Sequence, residues 1–309
     1  MAKTALLFAG QGAQVVGMGR DLEESHPTAK ALFTQADEAL GYGLSEICFS
    51  GPEEELVRTE HAQPAIYLVG WVALQLLREQ VPSLAFDATA GLSLGEFTAL
   101  AAADALGFED GLRVVRRRGE VMQEACEASA GGMAAIVGLD EEAVHAVCDQ
   151  GGVSLANLNC PGQIVVSGDA DKMDAACDAA KAAGAKRTIP LPVAGAYHSP
   201  LMQPAQAGLA GALAKVELHE PSVPVYSNVT GQAHAAAGTI AGTMVDQVTS
   251  PVKWEACIRA MIADGVTRFI ELGPGTALSG FMRRIDRGPE VLNVADCDSL
   301  AKAAGTLNG

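Results

Sequence analysis

The chain has 309 residues, a formal net charge of −16, 49% hydrophobic and 5% aromatic residues, and 34 glycines. That length is enough to bury a full core, the charge argues against sequence-independent binding to nucleic acid or anionic membrane, and no apolar run reaches the roughly 20 residues that span a bilayer. The Ala- and Gly-rich composition predicts a soluble α/β enzyme, and seven scattered cysteines without a C-x-x-C pair predict reduced thiols in a cytoplasmic setting with no metal cluster.

From the N-terminus, Lys3 to Ala9 predicts a buried strand, since its apolar run is too short for a signal peptide. It runs into Gly10-Gln11-Gly12, where the dinucleotide spacing G-x-G-x-x-G fails because Val15 stands at the third glycine position. A tight turn remains, which either reverses the chain or offers a backbone N–H to an oxyanion. Glu60 to Glu79 predicts a helix with an apolar face and Ala85 to Ala90 a strand. Next comes Gly91-Leu92-Ser93-Leu94-Gly95-Glu96, then the helix-forming run Phe97 to Ala103. A serine between glycines at a strand-to-helix turn is the pattern of a nucleophile elbow: the glycines leave room for the bend, and the bend presents the hydroxyl. The free N–H groups of the helix start suit an oxyanion.

In the helix predicted from near Glu109, Arg113 can pair with Glu109 and Arg116 with Glu120, each four residues apart. Arg118 has Val114, Val115, Val121 and Met122 at those spacings, hence no local carboxylate. Either its stem packs there while the guanidinium reaches solvent, or it faces a cavity and waits for an anion. In a serine enzyme the second reading implies a substrate with a free carboxylate.

From Gly131 the pattern changes to strand (Met133 to Val137), helix (Glu141 to Cys148), strand (Val153 to Asn157), turn (Asn159 to Gly162), strand (Gln163 to Ser167), helix (Asp171 to Ala183) and strand (Lys186 to Leu191). That order, βαββαβ, is the ferredoxin-like unit. Pro190 and Pro192 punctuate its exit, and His198 stands where the larger unit resumes. A nucleophilic serine needs a base. Among the histidines at 26, 61, 145, 198, 219 and 234, His198 is the candidate, with His145 on an outer helix and His219 and His234 in polar or loop contexts.

Taken in order, Gly10-Gln11-Gly12-Ala13-Gln14, the elbow, Arg116-Arg117-Arg118-Gly119, Ala156 to Gln163, Tyr197-His198-Ser199, Gln247 with Pro251-Val252-Lys253-Trp254, and Glu271-Leu272-Gly273-Pro274-Gly275 resemble the malonyl-CoA:acyl carrier protein transacylases across nearly the whole chain. The resemblance implies a hydrolase-like α/β domain with a mostly parallel sheet (residues 1–129 and 193–309), interrupted by the ferredoxin-like subdomain (130–192). It implies Ser93 as nucleophile, His198 as base, Arg118 as the malonyl clamp, the N–H groups of Gln11 and Leu94 as oxyanion hole, and the Gln247 carbonyl as the group orienting the histidine. It further implies malonyl-CoA and acyl carrier protein as substrate and partner, a monomer, and no metal or cofactor of the enzyme's own, the phosphopantetheine belonging to the acceptor. Leu92 departs from the histidine that family members often carry before the serine, and Asp246 leaves an acid partner for His198 open. Carrier protein is typically acidic, so Lys186, Arg187, Arg283, Arg284 and Arg287 are candidates for its docking. Tyr197 is expected to limit room beside the acyl group. The rivals are a serine esterase or thioesterase, a free-standing acyltransferase serving a polyketide synthase, and an inactive scaffold.

Overall fold

The computed structural model describes residues 2–309, and its described strands are β1 (Lys3–Phe8), β2 (Ala88–Gly91), β3 (Gly131–Val137), β4 (Ser154–Cys160), β5 (Gln163–Asp169), β6 (Arg187–Pro190), β7 (Val225–Tyr226), β8 (Val266–Leu272) and β9 (Glu290–Val294). They form two sheets. The first has the order β7-β2-β1-β8-β9 and is parallel throughout. Its central strand, β1, reads KTALLF without polar alternation, as expected of a strand covered on both faces. Leu6 and Phe8 point into one buried cluster, Ala5 and Leu7 into another.

The second sheet is antiparallel, with the order β4-β5-β3-β6. Together with the helices Glu141–Gly151 and Ala170–Ala182 it has the ferredoxin-like connectivity. Its alternation is clear: Ala134, Ile136, Ile164 and Val166 pack beneath its own helices, whereas Met133, Ala135 and Val165 face the main core.

Several boundaries differ from the sequence reading. Residues 85–87 stay outside β2, because Asp87 instead clips onto β1: its N–H donates to the Thr4 carbonyl and its Oδ2 accepts from the Thr4 amide. The strand predicted to end at Asn157 runs on to Cys160, so the turn shrinks to Pro161 and Gly162, the latter at φ 66°. That extension has a partner beyond its own sheet, since Leu158 N–H donates to the Val252 carbonyl and Val252 N–H to that of Ala156. The strand predicted over 186–191 is shorter, Arg187–Pro190. Among helices, the one predicted over 60–79 spans Thr59–Gln80, and the arginine-bearing helix spans Phe108–Ala128. No helix among the described residues is long and apolar enough to cross a membrane.

Candidate active site

The elbow sits between β2 and the helix Gly95–Ala102. A Cβ on Gly91 would collide with the Gly95 backbone, and one on Gly95 would run into the Phe8 carbonyl and meet that of Ala9 at 2.8 Å, so both positions admit only glycine. Ser93 itself is held at φ 53°, in the left-handed region that costs a non-glycine residue on the order of 1–2 kcal/mol. What holds it there is long-range. The Asn228 side chain accepts from Ser93 N–H at 2.6 Å and donates to the Gly91 carbonyl at 2.9 Å, bracketing the turn.

Ser93 Oγ lies 2.8 Å from His198 Nε2, although the residues are 105 positions apart. On the other side of the ring, Nδ1 is 2.9 Å from the Gln247 carbonyl oxygen. A carbonyl only accepts, so Nδ1 carries the proton and the Nε2 lone pair faces the serine hydroxyl. Asp246 is exposed and is not the partner of this ring. His198 adopts φ 57° and is 4% exposed. Burial, reinforced by the nearby Arg118 charge, pushes its pKa down to about 4, which keeps the imidazole neutral at pH 7.

Arg118 is 1% exposed, so its guanidinium stays inside instead of reaching solvent. Its Nη1 donates to Gln63 Oε1 at 2.7 Å, and its Nη2 to Gln247 Oε1 at 2.9 Å and to Ser93 Oγ at 3.0 Å. The Phe97 ring lies beneath, 5.6 Å from the guanidinium carbon. Every direct partner is neutral, and Nε has none among the described residues. Burial lowers the Arg118 pKa to about 10, opposed chiefly by the Glu96 charge, so the group is cationic at neutral pH. A buried cation without a touching carboxylate is a strong site for an anionic ligand.

The amides of Gln11 and Leu94, at the turn after β1 and at the start of the elbow helix, donate to no protein acceptor among the described residues. The Gln11 side chain reaches the Tyr197 hydroxyl at 3.3 Å, and that hydroxyl also bonds Thr59. A cavity of about 630 Å³ opens over Ser93 and His198, within the range of small-molecule sites. Gln11 and Tyr197 line it, together with Asn157, Asn159 and Gln163 of the antiparallel sheet. Asn159 is 6% exposed, and its Oδ1 has no partner among the described residues. Leu92 lines the same cavity and packs on the cluster that holds Tyr226 and Trp254. The five candidate docking cations are all exposed, and Arg284 also ties to Gln163 at 2.6 Å and to the Pro161 carbonyl at 2.9 Å.

Four residues of this site escaped the sequence reading. Gln63 carries a signal in retrospect, being a lone amide on an otherwise apolar helix stretch. Glu96, the residue after the second elbow glycine, is fully buried and accepts from Gln247 Nε2 at 2.7 Å, Asn228 N–H at 3.0 Å and His234 Nε2 at 2.8 Å. His234, read as a loop histidine, has a side chain only 2% exposed because it reaches inward to that carboxylate. Asn228 has no local signal, since its role depends on Ser93 and Gly91, 135 and 137 positions away.

The family model described as the acyl transferase domain matches residues 5–303. A malonyl CoA-acyl carrier protein transacylase of Bacillus subtilis is 46% identical over 312 residues, covering 99% of this chain and 98% of the relative. Among solved structures, the malonyl CoA-acyl carrier protein transacylase of Clostridium perfringens superposes with a TM-score of 0.95 at 40% identity, covering 99% of this chain and 98% of the other. A second, a malonyl-transacylase in complex with the holo carrier protein of a type II polyketide synthase, gives a TM-score of 0.95 at 36% identity and covers 99% of this chain and 100% of the other. With an elbow serine, a neutral histidine and a buried arginine brought into contact, and with matches of this extent, the chain belongs to the acyl transferase family, among the malonyl CoA-acyl carrier protein transacylases.

Proposed function

We propose that the protein transfers the malonyl group from malonyl-CoA to the phosphopantetheine thiol of acyl carrier protein through a malonyl ester on Ser93, supplying fatty acid synthesis. The observation that carries this reading is Arg118, a buried guanidinium that touches the candidate nucleophile at 3.0 Å and has only neutral partners. Such a group selects an acyl chain ending in a carboxylate, which malonyl has and acetyl lacks.

In this account His198 Nε2 takes the Ser93 proton as Oγ attacks the thioester carbonyl. The oxyanion forms against the N–H groups of Gln11 and Leu94, each worth on the order of 10²–10³ in rate. Collapse expels coenzyme A as a thiolate, which takes the proton from His198. The carrier thiol then enters, gives its proton to His198, attacks the ester carbonyl and releases Ser93, which regains the proton. The Gln247 carbonyl fixes the ring in the tautomer that both halves need. Asn159 Oδ1, buried and unpaired in the cavity wall, suits an amide N–H of the pantetheine arm. Exposed Lys186, Arg187, Arg283, Arg284 and Arg287 suit an acidic carrier despite the net charge of −16.

The test is coenzyme A release from malonyl-CoA with and without holo acyl carrier protein. Release that needs the carrier and matches malonyl-carrier formation supports the transfer; steady release without it makes the protein a thioesterase. A second reading changes only the acceptor, motivated by the polyketide-carrier complex among the similar structures. Comparing kcat/KM on a fatty-acid and a polyketide carrier decides it, a preference of tenfold or more for the latter overturning the first reading.

A further inference from the structure

Arg118 and Glu96 stand one amide apart. The Gln247 side chain lies between them, its Oε1 accepting from Arg118 Nη2 at 2.9 Å and its Nε2 donating to Glu96 Oε2 at 2.7 Å and to the Ser93 carbonyl at 3.0 Å. Glu96 Oε2 also takes the Asn228 N–H, and Oε1 takes His234 Nε2–H, so this carboxylate is satisfied from three sides without touching the guanidinium.

A carboxamide has two faces, and nothing in Gln247 itself chooses between them. With the amide reversed, an NH₂ would confront the Arg118 Nη2–H and an oxygen would confront a carboxylate, two repulsive contacts in a dry site. An acceptor-only group behind Gln247 enforces the observed orientation. It also supplies negative charge near a buried cation while leaving the guanidinium free of a direct carboxylate partner. A carboxylate in direct contact would hold Arg118 as an internal salt bridge and compete with the substrate for it.

Resting on the transfer reading above, we propose that Glu96, held from behind by His234, is a positioning residue of the acyl clamp: it orients the Gln247 amide so that its oxygen faces Arg118, and it supplies the counter-charge at one amide's remove. The titratable groups around it come from four elements: Arg118 from the helix Phe108–Ala128, His234 from the loop before Ala237–Asp246, Cys257 from the helix Trp254–Ala263 and, beyond Arg118, Tyr197 and His198 from the loop after β6. Burial holds the Cys257 thiol up and therefore neutral, and it pushes Tyr197 up to about 12. Glu96 is thus the nearby carboxylate that supports the arginine's charge, which it does through space.

Two substitutions separate orientation from charge. Glu96→Ala removes both. Glu96→Gln keeps the acceptor toward Gln247 and Asn228, with its NH₂ donating to His234 once that ring presents a bare Nε2, and removes only the charge. The measurements are kcat/KM for malonyl-CoA and acetyl-CoA, the alkaline limb of the malonyl profile, and thermal stability. Glu96→Ala is expected to lower the malonyl-to-acetyl ratio by roughly tenfold, about one hydrogen bond to a charged group. Glu96→Gln should restore most of that ratio while moving the alkaline limb to lower pH by about half a unit to one unit, as Arg118 loses its proton more readily. Equal losses on both substrates in Glu96→Ala, or an unmoved alkaline limb in Glu96→Gln, overturn the proposal; if Glu96→Ala does not fold, Glu96→Gln alone decides. Should the wild type not transfer malonyl at all, the transfer reading fails separately. The clamp is then tested by protection of Ser93 from a fluorophosphonate probe with free malonate: a roughly tenfold higher malonate requirement in Glu96→Ala supports the positioning role, and an unchanged one overturns it.

Discussion

The parallel sheet and the antiparallel sheet bury themselves differently, and the difference separates chemistry from substrate shape. In the parallel sheet β1 is covered on both faces, so its side chains are absorbed by packing, and the groups proposed for the chemistry lie where strands end, the Gln11 amide after β1 and Ser93 after β2. In the antiparallel sheet one residue in two packs under its own helices, while the others, Met133, Ala135 and Val165, face the cavity above Ser93. The first sheet fixes atoms to within a hydrogen bond; the second supplies a wall. Changes at the ends of parallel strands should therefore act on kcat, and changes on the antiparallel wall on KM.

The largest effect is expected at the elbow. Ser93→Ala should remove the covalent adduct and lower transfer by on the order of 10⁴ or more, measured as malonyl-carrier formation; a loss under tenfold would place the nucleophile elsewhere. His198→Ala should cost about 10²–10⁴. The same histidine sets the acid limb. In the proposed mechanism its neutral form is the base, so kcat/KM should hold as pH falls below the ordinary 6.5 and decline only toward about 4. Stability has the same sign. The unfolded chain takes up this proton near 6.5 and the folded one near 4, so the contribution is complete above the first value and lost progressively down to the second. An acid limb of kcat/KM at 6.5 to 7 would mean that the ring is solvated in the working enzyme.

Arg118→Ala comes next, with a loss of about 10- to 100-fold on malonyl-CoA, the worth of one or two hydrogen bonds to a charged group, and a relative gain for acetyl-CoA. Retained malonyl selectivity would remove the clamp. On the antiparallel wall, Asn159→Ala should raise KM for malonyl-CoA by roughly 3- to 10-fold, one neutral hydrogen bond, with kcat little changed. If kcat fell as far as KM rose, the division between the sheets would fail. Smallest of all, Lys186→Ala and Arg187→Ala should raise KM for carrier protein about twofold each and flatten its salt dependence, since exposed charges act through a screened field. Carrier transfer insensitive to salt would leave these cations without a role in docking.

Local order made part of this legible from sequence. The antiparallel unit could be read because β4 pairs with β5 across a two-residue turn and because its alternation is clean. The elbow was legible because two glycines with no room for a Cβ leave a local mark. The reading did not reach β7, two residues long, nor β8 and β9, whose place in the sheet depends on β1. Within the site, Ser93, His198 and Arg118 stood out by type and context, but their contact is a property of the fold. The layer behind them was hidden for a further reason. Asn228, Glu96 and His234 act by satisfying one another across 132 and 138 positions, and residue type alone cannot show a buried polar group which partner it will find.

The most direct test is to mix the protein with malonyl-CoA alone, quench in acid and map the adduct by peptide mass spectrometry. The account predicts a malonyl group on the peptide that carries Ser93, discharged when holo acyl carrier protein is added. Coenzyme A release with no adduct on Ser93, or an adduct mapped to another residue, would contradict it.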